Sequence, residues 1–207
     1  MIFFLITLLV GCSGTYYRAM EQVGVHKRDI MVDRVAAARD SQAAAQEQFK
    51  SALEQFSSVV ALEETDLKKA YDRLDDEYQH CADAAAEVSA RIKKVEQVAA
   101  ALFAEWRQEI KQYHNQAYAR SSRKQLETTE QRYDEMITRM HQAEKTMTPV
   151  LTIFYDNVLF LKHNLNAQAI GSLQGEFANL AVEIDKLVAR MSEAIEASNR
   201  FIARIQQ

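Results

Sequence analysis

Glycine and proline are nearly missing from this chain of 207 residues: there are five Gly and one Pro, with neither between Val25 and Thr148. A β-sheet protein needs a turn roughly every 8–12 residues, and Gly, Pro, Asn and Asp supply those turns. A stretch of 124 residues without Gly or Pro cannot meet that demand, so sheet architectures are excluded and an all-helical protein is predicted. A membrane-crossing run is missing too. The most apolar stretch, Ile2–Val10, has nine residues, whereas crossing a bilayer takes about 20. Nor is one sign of charge in excess: 25 basic residues face 29 acidic ones, for a net charge of −4. That balance makes no electrostatic case for nucleic acid. With 26% charged and 48% hydrophobic residues, the composition is globular rather than disordered, and the length is that of one domain or at most two.

Heptad spacing accounts for most of what is present. In a first segment Met31, Val35, Ala38, Gln42, Ala45, Phe49, Ala52, Phe56 and Val59 follow one another at alternating steps of four and three, with Gln42 the one polar member. A second segment runs Leu67, Tyr71, Leu74, Tyr78, Cys81, Ala85, Val88, Ile92, Val95, Ala99, Leu102 and Trp106. A third runs Tyr133, Met136, Met140, Ala143, Met147, Val150 and Phe154; a fourth runs from Ile170 through Leu180, Leu187 and Ala194 to Ile205. Sustained spacing of this kind belongs to helices packed knobs-into-holes. In the fourth segment Ala181, Val188, Ile195 and Ile202 widen the seam to three apolar positions per heptad. That breadth suits a bundle interior rather than a two-stranded coil. Val88, Ile92 and Leu187 are expected to be almost wholly buried.

The stripes lapse three times. Phase is lost across Glu63-Glu64-Thr65-Asp66, where Thr65 can cap a new helix. From His114 to Gln125 the continuing seam positions Gln116, Arg120 and Arg123 are all polar, and Ser122 and Gln125 have capping-box spacing. The third lapse is Asn164-Leu165-Asn166, and Asn suits a helix terminus. Helices are therefore predicted over 23–61, 66–113, 122–164 and 167–206, forming an elongated, antiparallel up-down-up-down four-helix bundle with coiled-coil-like packing. The alternative fuses the second and third helices into one very long rod, leaving a three-helix coiled coil. Pro149 is read as a kink inside the third helix, because the stripe stays in phase across it; otherwise it opens a separate helix after a Thr148 cap.

At the start of the chain, Leu9-Val10-Gly11-Cys12 after the apolar run resembles the lipobox of bacterial lipoproteins. The resemblance implies a signal peptide over 1–11, a lipid on Cys12, a tether over 12–22 and a helical domain over 23–207. No basic residue separates Met1 from Ile2, which points to a start a few codons upstream carrying Lys or Arg. Ser13 rather than Asp follows Cys12, and by known sorting rules that implies the outer membrane, with the domain facing the periplasm. If Cys12 carries lipid, Cys81 has no partner in the chain and no disulfide framework exists. Cys81 is then expected as a buried core thiol, with an intermolecular bridge as the alternative.

The stretches VHKRDIMVDRV (25–35), ARDSQ (38–42), FKSALEQF (49–56) and LFLKHNLNAQAIGSLQGE (159–176) resemble the bacterial family catalogued as domain of unknown function 2959. The likeness covers nearly the whole chain, including the lipobox and Tyr16-Tyr17 after it. It implies a helical lipoprotein of Gram-negative bacteria and no established activity, so no functional residue transfers from it.

Chemistry-bearing motifs are sparse. Glu77-Tyr78-Gln79-His80 has the Glu-x-x-His form that di-iron bundles use twice, but here it occurs once, and His26, His114, His141 and His163 lack a glutamate at that spacing. Asp72, Asp76, His80, Asp83 and Glu87 share one face, as a solvated acidic helix face would. A seam thiol at Cys81 is inert as a nucleophile. Gly171 and Gly175, four apart in a helix, are expected to permit close packing. No catalytic residue, cofactor or metal is therefore expected. Two features suggest partners. The segment Val150–Leu161, through Val150, Phe154 and Leu161, either fills the bundle's own core or forms a self-association or partner surface. In the up-down-up-down order, Arg18, Lys27, Arg28, Arg107, Lys111, Arg120, Arg123, Lys124, Arg200 and Arg204 gather at the membrane-proximal end, and Glu63, Glu64, Asp66, Asp72, Asp75, Asp76 and Glu77 at the distal end. Arg120, Arg123 and Lys124 are the candidate contacts to an anionic leaflet, against the plain reading of a salt-bridged helix surface.

These features predict a non-enzymatic envelope lipoprotein, a rigid rod that binds, scaffolds or spaces something in the periplasm. A membrane-remodelling helical protein is one alternative and a metal-binding bundle oxidoreductase a lesser one. The ending Ile205-Gln206-Gln207 lacks the terminal lysine through which the small murein lipoprotein is joined to peptidoglycan.

Overall fold

The computed structural model describes residues 26–61, 67–164 and 167–206. Cys12, the signal peptide, the tether, Arg18 and the Glu63–Asp66 interruption lie outside the described residues. Four helices account for the rest: α1 Lys27–Val60, α2 Leu67–Ile110, α3 Gln116–His163 and α4 Ala167–Ile205. At 1.5 Å per residue they are about 50–70 Å long.

Each helix packs against two neighbours, α1 and α3 each lying between α2 and α4. The cross-helix bonds give the directions. Lys27 at the start of α1 pairs with Glu105 near the end of α2, at 2.9 Å, while Gln48 donates to Glu77 at 2.8 Å. Arg28 reaches the carbonyl of Ile205, and Gln174 near the start of α4 donates to the carbonyl of Val60 at 3.1 Å. His141 of α3 meets Glu96 of α2, and Arg139 of α3 meets Glu193 of α4. Neighbours run antiparallel throughout, so this is the four-helix bundle, not the three-helix coil with a hundred-residue rod.

The heptad rows are the core. Every member of the first row, Gln42 included, is buried. Val88 and Leu187 are fully enclosed and Ile92 is 1% exposed. The flanking Val188 and Ile202 are half-buried against the core, as the broad face requires. Each helix sends one aromatic residue into a shared layer: Phe56, Tyr78, Phe154 and Phe177. Phe56 packs edge-on to Phe154 and stacks with Phe177, both at 6.0 Å between ring centres, and Tyr78 meets Phe154 at 6.2 Å. A second aromatic group, Phe103–Tyr133–Phe201, lies toward the other end of the bundle.

Three expectations change. α3 starts at Gln116, not Ser122, because Asn115 takes the capping position in an extended conformation. Its Oδ1 accepts from the N–H of Ala117 at 2.8 Å and of Tyr118 at 3.4 Å. Ser122 is a buried helical residue, and the inward row across the lapse is Ala119, Ser122 and Leu126. Starting the helix earlier rotates the polar positions Gln116, Arg120 and Arg123 outward. Second, α2 ends at Ile110 and α3 runs unbroken through Pro149, which excludes a separate helix beginning there. Third, Gly171 and Gly175 are not close-packing positions. A methyl group at either would meet nothing within 4 Å, since both lie on the solvent face of α4.

Candidate functional site

The turn between α2 and α3 is where chemistry-bearing side chains collect without partners. Two backbone bonds close it, Lys111 N–H to the carbonyl of Gln108 at 3.1 Å and Gln112 N–H to that of Glu109 at 2.9 Å, and Asn115 then caps α3. Trp106 in the last part of α2 donates its indole N–H to Ser122 Oγ at 2.8 Å, fixing the two helices against each other. Among the described residues this hairpin projects past the rest of the bundle. α1 begins at the level of Glu105, and α4 ends where Ile205 and Thr129 line one small cleft. Residues 116–128 therefore extend about 20 Å beyond the end of α4.

Arg120, Arg123 and Lys124 sit on this overhang. Spacings of three and four place them on neighbouring positions of one helix face; all three are exposed, and no ion pair holds any of them among the described residues. Of the other basic residues expected at this end, Arg18 lies outside the described residues, Arg204 has no ion pair among them, and the rest are engaged. Lys27 is bonded to Glu105, Arg107 to Glu130, Arg28 to the Ile205 carbonyl and Arg200 to Glu196. Lys111 bonds the neutral Gln108 at 3.1 Å. Sequence reasoning missed two tyrosines here: Tyr113 is 44% exposed and Tyr118 is 64% exposed. Tyr118 continues the inward row four residues before Ser122, yet no described part of α4 reaches far enough to cover it. Neither position signalled exposure: Tyr113 falls on the continuing seam three residues before Gln116, and the exposure of Tyr118 depends on where α4 stops.

The remaining candidates are dispersed. Cys81 is fully enclosed in the core, with its thiol 3.9 Å from the Gln48 carbonyl. Burial foremost, then the charge of Glu77, pushes its pKa up to about 12, so the thiolate that a nucleophile needs is not formed near neutral pH. Glu77 accepts a hydrogen bond from Gln48, and His80 points to solvent among the exposed Asp76, Asp83 and Glu87. No group of three or more metal-ligating side chains is assembled among the described residues. Val150, Phe154 and Leu161 are enclosed completely in the bundle's own core. The large apolar side chains of that segment that are exposed are Tyr155, Leu159 and Phe160, with Leu151 and Ile153 partly buried.

Two other polar features matter for how the bundle holds together. His141 bonds Glu144 through Nδ1 at 2.8 Å and Glu96 through Nε2 at 2.9 Å. Burial works to lower its pKa, but the hydrogen bonds and charges of Glu144 and Glu96 outweigh that and raise it above 6.5, so protonation strengthens the link that His141 makes between α2 and α3. A groove of about 610 Å³ lies between α3 and α4 and carries Arg132, Arg139, Arg200 and Arg204 over Met136, Ala197 and Phe201. Asp134 and Glu135 also line it, and Glu193 takes up both Arg139 and Arg190, so its charge is largely balanced from within. No helix among the described residues is long and apolar enough to cross a membrane.

The family model described as Protein of unknown function (DUF2959) matches residues 16–205, nearly all of the chain and the whole of the bundle. No curated protein and no solved structure matches the chain.

Proposed function

The chain belongs to the DUF2959 family of proteins of unknown function, and from that premise we propose that it is a non-enzymatic envelope lipoprotein whose rigid four-helix rod binds, scaffolds or spaces a component of the periplasm. The observation that carries this reading is a coincidence of ends. α1 begins at the same end of the bundle that carries the unpaired Arg120, Arg123 and Lys124. A lipid on Cys12 would therefore tether the rod by its basic end. An outer-membrane address follows from Ser13 after Cys12 under the same reading. Any self-association would use Tyr155, Leu159 and Phe160, because Val150, Phe154 and Leu161 are committed to the core.

Membrane remodelling by a bundle lying flat fits less well, since it calls for basic residues along one long face rather than on one tip. A metal oxidoreductase would need a second Glu-x-x-His element and two more glutamates; metal analysis of the purified protein addresses it directly. The lipid anchor is tested by Cys12→Ser. The expected outcome is loss of labelling by a fatty-acid probe, with the wild-type chain labelled in parallel. A Cys12→Ser protein that still takes up the probe would remove the anchor from this reading.

A further inference from the structure

The overhanging α2–α3 hairpin combines two properties that rarely meet on an ordinary helix surface. First, it is basic. Across residues 111–127, Lys111, Arg120, Arg123 and Lys124 stand against Glu127, within a chain whose net charge is −4. Second, its most exposed apolar bodies are both tyrosines, Tyr113 and Tyr118, and a tyrosine ring has one apolar and one polar end, suited to a boundary between oil and water. The opposite end also exposes aromatic rings, Tyr155 and Phe160, but its described part is more acidic. The first turns of α2 there carry Asp72, Asp75, Asp76 and Glu77 against Lys68, Lys69 and Arg73.

We propose that this tip is an interfacial surface that seats on anionic phospholipid, with Tyr113 and Tyr118 at the depth of the headgroups and Arg120, Arg123 and Lys124 against the phosphates. The inference rests on the anchored-rod reading for its orientation and adds to it a second, non-covalent contact. A rod held only by a lipid and a tether is free to swivel. One held also by its tip stands on the membrane, and the contact acts only within about 8 Å of the surface at physiological salt. The far end, some 60 Å away along the helices, takes no part.

The experiment places single reporters at the two ends of the full chain, reconstituted into phosphatidylcholine vesicles with and without phosphatidylglycerol and carrying brominated acyl chains. Tyr118→Trp reports the tip and Leu159→Trp the far end, each read against the wild type, whose one tryptophan is Trp106. The added emission of Tyr118→Trp should be blue-shifted and quenched only when phosphatidylglycerol is present, and should recover as salt is raised. Leu159→Trp should be unaffected. Combining Tyr118→Trp with Arg120→Glu, Arg123→Glu and Lys124→Glu should reduce the quenched fraction about tenfold, while the salt titration tests the same point without charge reversal. Equal quenching at both positions, quenching at neither, or quenching that is the same without phosphatidylglycerol would overturn the proposal. Fatty-acid labelling of Cys12 is read separately, so loss of the anchor and loss of the tip contact are distinguishable results.

Discussion

The core of this bundle is built in two ways. Around Phe56, Tyr78, Phe154 and Phe177 one ring from each helix meets its neighbours at about 6 Å, so large apolar surfaces and favourable ring geometry coincide. Along the middle of α1 the same row turns small, to Ala38, Gln42 and Ala45. There both side-chain polar atoms of Gln42 are buried without a hydrogen-bond partner among the described residues. What the middle lacks in buried apolar volume is partly supplied outside the core by polar links between helices. Arg39 bonds Asn199 at 3.0 Å, Gln46 bonds the Val188 carbonyl and Ser192 at 2.9 Å each, and His141 bridges Glu96 and Glu144. The comparison teaches that an uninterrupted heptad row is not uniformly stabilising: its strength is concentrated where the rings are.

The sharpest way to break the comparison is to remove the ring at the centre of the aromatic layer. Phe56→Ala should cost about 3–5 kcal/mol, because it opens a cavity bordered by Phe154 and Phe177. Chemical denaturation followed by circular dichroism would measure it, and a loss below that of an ordinary surface substitution would mean the layer contributes little. The opposite sign is expected in the middle. Gln42→Leu removes two buried polar atoms that lack protein partners and keeps a similar volume, so it should stabilise the bundle by about 1–3 kcal/mol. Destabilisation by Gln42→Leu would show that the amide is satisfied or sets the register of the helices.

The smallest effect is the most specific. His141 has its folded pKa raised above 6.5 by Glu144 and Glu96. Its contribution should therefore be fully present below the unfolded value of 6.5 and lost as pH rises through the folded one. With the side chain more than a third exposed, solvent screening keeps the effect under about 1 kcal/mol. Melting of the wild type and His141→Gln should differ in mildly acidic buffer and converge in mildly alkaline buffer. A constant difference across that range would assign the effect to packing rather than charge.

How far the sequence could be read varies along the chain. The row from Met31 to Val59 needed nothing beyond its spacing, since steps of four and three bring those side chains to one side of any α-helix. Pro149 was legible for the same reason: Met147, Val150 and Phe154 keep one phase across it. The α2–α3 hairpin was legible only in part. Arg120 and Arg123 were visible as polar intruders in a seam, with Lys124 beside them, but their outward orientation depended on Asn115 rather than Ser122 starting α3. The exposed Tyr118 lies on the inward row and would have been counted as core.

The sequence by itself thus determined the helical class and most members of the four buried rows, because Gly and Pro scarcity and heptad periodicity are local properties of the chain. Only the tertiary structure decided which ends overhang, which basic groups are tied to carboxylates or carbonyls and which stand free. It also decided that Gln42 is left without a partner and that His141 is clasped by two carboxylates from different helices. Those outcomes depend on the relative register of helices whose contacting residues lie up to 177 positions apart, and no local pattern carries that information.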